Sequence, residues 1–179
     1  VILGGEHIGC FELLANEKAA LERAAQRDAT ATAVTIEQTP ERVRFAQPKL
    51  AVSADPHGAS WNALWSGDDT AGIFGATFSV EIGGQRLVLP EAQSALKPFQ
   101  DPLGAGQELR QVWLTNGVRV ERELRAYDGL SVLTLSGRIV NETSKEIALG
   151  TANLLELDDN GWWRLGNAAA TPAAIFIQN

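Results

Sequence analysis

The sequence predicts an all-β protein: two antiparallel sheets packed face to face, with one helix near the amino terminus. Two observations carry the sheets. Long alternating stretches are punctuated by Asn116-Gly117 and Asp128-Gly129, dipeptides favoured in two-residue hairpins. The strands they join are charged on one face and apolar on the other, so a second layer has to cover the apolar face. A third observation carries the helix. Cys10–Asp28 is rich in Ala, Leu, Glu and Arg, lacks Gly and Pro, and repeats apolar residues at Phe11, Leu14, Leu21 and Ala25.

The hairpin register can be worked out from Gln107–Leu157. A tight turn at Asn116-Gly117 sets Thr115 against Val118, Trp113 against Val120 and Leu109 against Leu124. On the opposite face it sets Arg110 against Glu123 and Glu108 against Arg125, two attractive cross-strand pairs. A slip of one residue would lose all these matches together. A tight turn at Asp128-Gly129 then pairs Leu124 with Leu133 and Val118 with Ile139, giving an apolar face of Trp113, Val118, Val120, Leu124, Leu133 and Ile139. A third turn within Asn141–Glu146 returns Ile147–Leu157 as a fourth strand of the same sheet.

The remaining elements follow in order. Val1–Gly9 is a loop or short edge strand. Short strands are expected at Ala33–Gln38, Arg42–Ala46 and Lys49–Ala54, with turns at Pro40 and at Asp55-Pro56-His57-Gly58. Ser60–Ser66 precedes a turn at Gly67-Asp68-Asp69. Gly72–Ile82 and Gln85–Leu89 form a hairpin about Gly83-Gly84. Pro90–Gly106, with three prolines, reads as a long ordered connection over one sheet edge. Asn160-Gly161 signals another tight turn, and Ala173–Gln178 a last strand. The expected division is an extension with the helix over residues 1–32 and a β-sandwich domain over 33–179.

With 179 residues the chain can bury a sizeable core, and its net charge of −7 argues against nucleic acid or an anionic membrane as partner. The single Cys10 and the two histidines, His7 and His57, exclude a cysteine-rich or three-histidine zinc site. No cofactor, metal site or catalytic residue is expected. Neither a phosphate-binding glycine loop nor a nucleophile elbow is present. Asn141-Glu142-Thr143 is a formal glycosylation sequon that also suits a turn. Val1 is expected to follow a processing boundary, and a secreted or periplasmic location is favoured over a cytoplasmic one. The pairs Asp68-Asp69 and Asp158-Asp159 suit turns, where Asp bonds the local backbone, as well as chemistry. What sets the second pair apart is its company, Trp162 and Trp163 with Arg164, which suits sugar binding: a pyranose stacks its apolar face on a ring while fixed polar groups hold its hydroxyls.

The succession Trp61-Asn62-Ala63-Leu64-Trp65 with Ser66-Gly67-Asp68, then Gly75–Arg86, Val112–Tyr127 and Gly137–Asn141, resembles the amino-terminal β-supersandwich domain of family 36 glycoside hydrolases and their raffinose-synthase-like relatives. The resemblance runs from about Val34 onward and implies an antiparallel two-sheet β-supersandwich of the galactose-mutarotase type. It implies no catalytic residue in this chain, because the catalytic aspartates of that family lie in a (β/α)₈ barrel that follows the sandwich. Mutarotase activity would need a pair of histidines within the sandwich strands, which this sequence does not supply. The expected function is a non-catalytic domain of an α-galactosidase-like hydrolase. Its expected partners are the catalytic barrel or a neighbouring subunit and, at the pocket rim, a galactoside-type carbohydrate. Sandwiches of that family can lend a side chain to the sugar pocket, and the candidate substrate-binding residues that the resemblance implies are Trp65 with Asp68, and Asp159 with Trp162 and Trp163. A free-standing carbohydrate-binding domain and a structural interaction domain are the alternatives.

Overall fold

A computed structural model describes residues 2–3, 32–65 and 71–165. In chain order its strands are β1 (Ile2–Leu3), β2 (Thr35–Gln38), β3 (Val43–Ala46), β4 (Leu50–Ala54), β5 (Ser60–Trp65), β6 (Ala71–Ile82), β7 (Gln85–Arg86), β8 (Gln93–Asp101), β9 (Gly104–Thr115), β10 (Val118–Tyr127), β11 (Leu133–Asn141) and β12 (Leu149–Leu165). They form two antiparallel sheets. One runs β1-β11-β10-β9-β8; the other runs β12-β6-β5-β4-β3-β2, with β7 paired to β6. The all-β, two-sheet expectation therefore holds. The expected helix, His7, Cys10, Asp68 and the last predicted strand lie outside the described residues.

The β9–β10 register is the one the sequence predicts. Val118 pairs with Thr115, Val120 with Trp113, Glu123 with Arg110, Leu124 with Leu109 and Arg125 with Glu108. Asn116 and Gly117 both adopt positive φ, 51° and 75°, as the turn twist of a tight hairpin requires. The next register differs from expectation by two residues: Leu124 pairs with Leu135, and Val120, not Val118, faces Ile139. The connection is longer than a two-residue turn, because pairing between β10 and β11 stops at Ala126 and Leu133 and the intervening loop is tied elsewhere. Asp128 N donates to Ala105 O, Gly129 N to Thr32 O and Lys49 N to Ser131 Oγ. A shift of two keeps every side chain on its face, so the alternation is preserved while the pairing moves.

Two further expectations are corrected. Pro90–Gly106 is mostly strand: β8, a turn at Pro102-Leu103, and the start of β9. Its prolines sit where no amide is required. Asp101 and Gly104 close a two-residue hairpin, so alternation away from that closing pair leaves the Pro98 nitrogen on the side of β8 facing away from β9. Second, the segment after Glu146 does not extend the first sheet. It crosses over as β12 and pairs with β6 at the edge of the other sheet. The Asn141 sequon is a side-chain-bonded turn, with Thr143 N and Oγ1 both donating to Asn141 Oδ1.

The core lies between the sheets. Val43, Phe45, Leu50, Val52, Trp61, Ala63 and Ile73 from one sheet pack with Leu109, Leu124, Ala126, Leu133 and Leu135 from the other. A second cluster joins Phe78 and Val80 to Trp113, Val118 and Val120, with the Phe78 and Trp113 rings stacked 5.8 Å apart. Burying side chains of this size stabilises by roughly 1.5–3 kcal/mol each before chain entropy is counted. Gly106 is required by close approach, since a Cβ there would collide with the Ala126 carbonyl oxygen.

Candidate functional site

The predicted aromatic residues gather at one end of the larger sheet. Trp65 closes β5, paired with Leu50, and packs half-buried against the main core cluster. On edge strand β12, Trp162 pairs with Phe74 and Trp163 with Ile73 of β6. Ile73 also pairs with Ala63 of β5, so Trp65 and Trp163 are two strands apart and two residues out of step. Standard strand spacings put their backbones roughly 12 Å apart. Asp159 lies between Leu157, opposite Ala76, and Trp162, opposite Phe74. The Asn160-Gly161 signal is therefore realised as a wide bulge within β12 and not as a hairpin turn. Register also shifts between Trp61 and Ala63 on the other side of β6, and Gly75 takes a positive φ of 64°. Its amide donates to Asn62 Oδ1 at 2.8 Å. Register shifts thus flank one point of β6 on both sides, where regular pairing is interrupted.

The outer face of the five-stranded sheet carries a lattice of ion pairs. Glu121, 3% exposed, accepts from Arg110 Nη2 at 2.8 Å on one oxygen and from Arg119 on the other. Glu108, 1% exposed, accepts from Arg125 Nε at 2.8 Å. Lys97 Nζ lies 3.2 Å from its second oxygen, an ion pair out of line for a hydrogen bond. Arg125 also donates to Glu123 Oε2, and its guanidinium lies over the Phe99 ring at 5.1 Å. The Glu108–Arg125 pair is the one the register predicts. Arg110 instead bonds diagonally to Glu121, while Glu123 Oε2 accepts from Arg125 and Ser136. The Glu121 bond and charge hold the Arg110 guanidinium above its ordinary pKa. For Arg125 burial acts downward, but Glu108 and Glu123 outweigh it and the net direction is up. Beside this lattice runs a groove of about 360 Å³ lined by Arg110, Glu121, Glu123, Ser136, Gly137 and Arg138.

Sequence reasoning missed one polar group altogether. Arg122 and Gln111 pair directly across β10 and β9 on the core-facing side, and both are fully buried. Arg122 Nη1 donates to Ala59 O at 2.6 Å, while its Nε and Nη2 donate to Gln111 Oε1. Gln111 Nε2 reaches the carbonyls of Asp55, Pro56 and Gly58 at 2.9–3.0 Å. The two side chains thus satisfy the backbone of the β4–β5 loop and pin it to the opposite sheet. Burial pushes the Arg122 guanidinium down, to about 10, with Asp55 opposing, so it remains charged at neutral pH. The signal was available: the hairpin register that matches the apolar pairs also places Arg122 and Gln111 among them.

His57 is a surface residue. Its amide donates to Asp55 Oδ1 and its ring pairs with Glu91 at 3.2 Å. Among the described residues no three His, Cys, Asp or Glu side chains converge as a metal site would need. No family model, curated protein or solved structure matches the chain.

Proposed function

We propose that this chain is a non-catalytic β-sandwich domain of an α-galactosidase-like glycoside hydrolase, packing on a catalytic barrel and lending one rim to a galactoside pocket. The observation that carries this reading is the grouping of Trp65, Asp159, Trp162 and Trp163 by strand register at one end of the larger sheet, around a doubly bulged point of β6. Indole rings at a sheet rim offer stacking surface to the apolar face of a sugar, and a neighbouring aspartate offers an acceptor to its hydroxyls. The lattice carboxylates favour a supporting role for the other sheet. Glu108, Glu121 and Glu123 each accept from an arginine and so are poorly placed to exchange a proton with substrate.

The test is kinetic and uses the whole reading frame that contains this chain. Hydrolysis of a chromogenic α-galactoside is expected. Trp162→Ala and Asp159→Asn should each raise KM about tenfold, the loss of one ring stack or one hydrogen bond, with kcat nearly unchanged. A frame that encodes no barrel, or a full-length product without galactosidase activity, overturns the reading.

A further inference from the structure

The groove on the five-stranded sheet keeps two polar groups that the ion-pair lattice leaves over. Arg138 stands directly across from Glu121, yet both Glu121 oxygens are already taken, by Arg110 and Arg119. The Arg138 guanidinium has no hydrogen bond or ion pair with any described residue, although Lys97, Arg110, Arg119 and Arg125 on the same face are all paired. Glu123 commits only Oε2, which accepts from Arg125 and Ser136; its Oε1 makes no bond. Glu123 pairs with Ser136 and Glu121 with Arg138, so Glu123 and Arg138 are diagonal neighbours on one face. Such neighbours are roughly 7–8 Å apart at the backbone, which leaves room for a ligand group between their polar ends.

The charges in the groove cancel, Arg110 and Arg138 against Glu121 and Glu123. A balanced lining offers no net field to an ion, and the chain's net charge of −7 repels anions at long range. What it offers is an unused fork of N–H donors beside an unused carboxylate acceptor. The matching chemistry is a pair of vicinal hydroxyls, each able to donate and to accept. A volume of about 360 Å³ is at the small end of ligand sites and suits one sugar ring.

We propose that this groove binds a single neutral sugar ring through a vicinal hydroxyl pair. Arg138 donates to one oxygen, Glu123 Oε1 accepts from the other hydroxyl, and Ser136 Oγ stands beside them. The site lies on the other sheet from Trp65, Trp162 and Trp163 and does not rest on the function proposed above. The experiment is an NMR titration of the isotope-labelled chain with D-galactose, D-glucose and D-galacturonate, following the Arg138 side-chain Nε–H and the Gly137 amide. Saturable shifts are expected with a neutral sugar, with an affinity on the order of millimolar and no tighter for galacturonate. Arg138→Gln and Glu123→Gln should each weaken binding about tenfold, the loss of a hydrogen bond to a charged group. Arg138 is exposed, so its variant keeps the fold, checked by circular dichroism, and carries the test should Glu123→Gln disturb the lattice. The proposal is overturned if no neutral sugar gives saturable shifts, if the shifts survive Arg138→Gln, or if galacturonate binds about tenfold tighter or more than galactose.

Discussion

Tyr127 is the only tyrosine in the chain, so its phenol can be titrated without interference from another. It stands at the end of β10 with its hydroxyl donating to Asp101 Oδ2 at 3.0 Å and its ring edge-on to Phe99. Burial is the largest influence and pushes its pKa up; the Thr134 hydroxyl pulls it down, Asp101 pushes it up through its bond and its charge, Arg125 opposes last, and the net direction is up. A phenol whose folded pKa lies above its unfolded value near 10 favours folding below that pH, and the benefit is lost as pH rises through the folded value. The ultraviolet phenolate band of the native protein should therefore appear at higher pH than in the unfolded chain. Asp101→Asn should move it back toward 10, since the anionic acceptor is removed. A native midpoint at or below the unfolded one would show that the ring is not held as described. Side-chain choice at this scale was only partly legible. Alternation assigned Glu108 and Arg125 to one face and to each other, but long side chains also reach diagonal neighbours, and the bond from Arg110 to Glu121 is a diagonal that directly opposed pairs do not express.

Among the elements, β8 teaches most. Three prolines between Pro90 and Gly106 suggested a connection, because proline is costly inside a sheet. The cost disappears where the missing amide points out of the sheet. At Pro98 it does, on a strand that is an edge among the described residues. The same placement interrupts the row of donors that an open edge would otherwise present, and Lys97 adds a charge beside it, a usual guard against edge-to-edge pairing. Restoring the amide should remove that guard. Pro98→Thr is expected to fold with unchanged circular dichroism and to self-associate more strongly, seen as a concentration-dependent rise in sedimentation coefficient. A variant as monodisperse as the parent would mean that Pro98 does not protect this edge. Element existence was otherwise readable from alternation and turn chemistry. What failed was pairing over distance, namely the two-residue shift at β11 and the assignment of β12 to the wrong sheet. Local sequence fixes which face a residue takes, whereas loop ties such as Lys49 N to Ser131 Oγ decide where a strand docks.

At the scale of the whole molecule, the sheets are joined by polar contacts at separate places as well as by the core. Near the β10–β11 loop, Asp128 Oδ1 accepts from Val34 N, and Gln47 Nε2 donates to the carbonyls of Tyr127 and Val132. Beside the β4–β5 loop the link is Arg122 with Gln111, and here a charge is buried against carbonyls and an amide, with no carboxylate in contact. The guanidinium also lies over the Trp113 ring at 5.5 Å. A buried charge of this kind costs solvation that its bonds must offset, so its energetic meaning depends on every partner staying in place. Removing Arg122 alone, as Arg122→Met, keeps most of the stem volume but strands Gln111 Oε1 and leaves Ala59 O with only its bond from Phe78 N. Removing Gln111 alone, as Gln111→Leu, strands the carbonyls of Asp55, Pro56 and Gly58 and leaves the guanidinium without its main acceptor. Each should lower stability by about 2–4 kcal/mol. The double variant should lose about 1–3 kcal/mol less than the sum of the two, because the second change no longer strands a partner left by the first. Urea unfolding of the four proteins measures this directly. Strict additivity would mean that the two side chains support the β4–β5 loop independently, and the picture of one shared clamp between the sheets would fall.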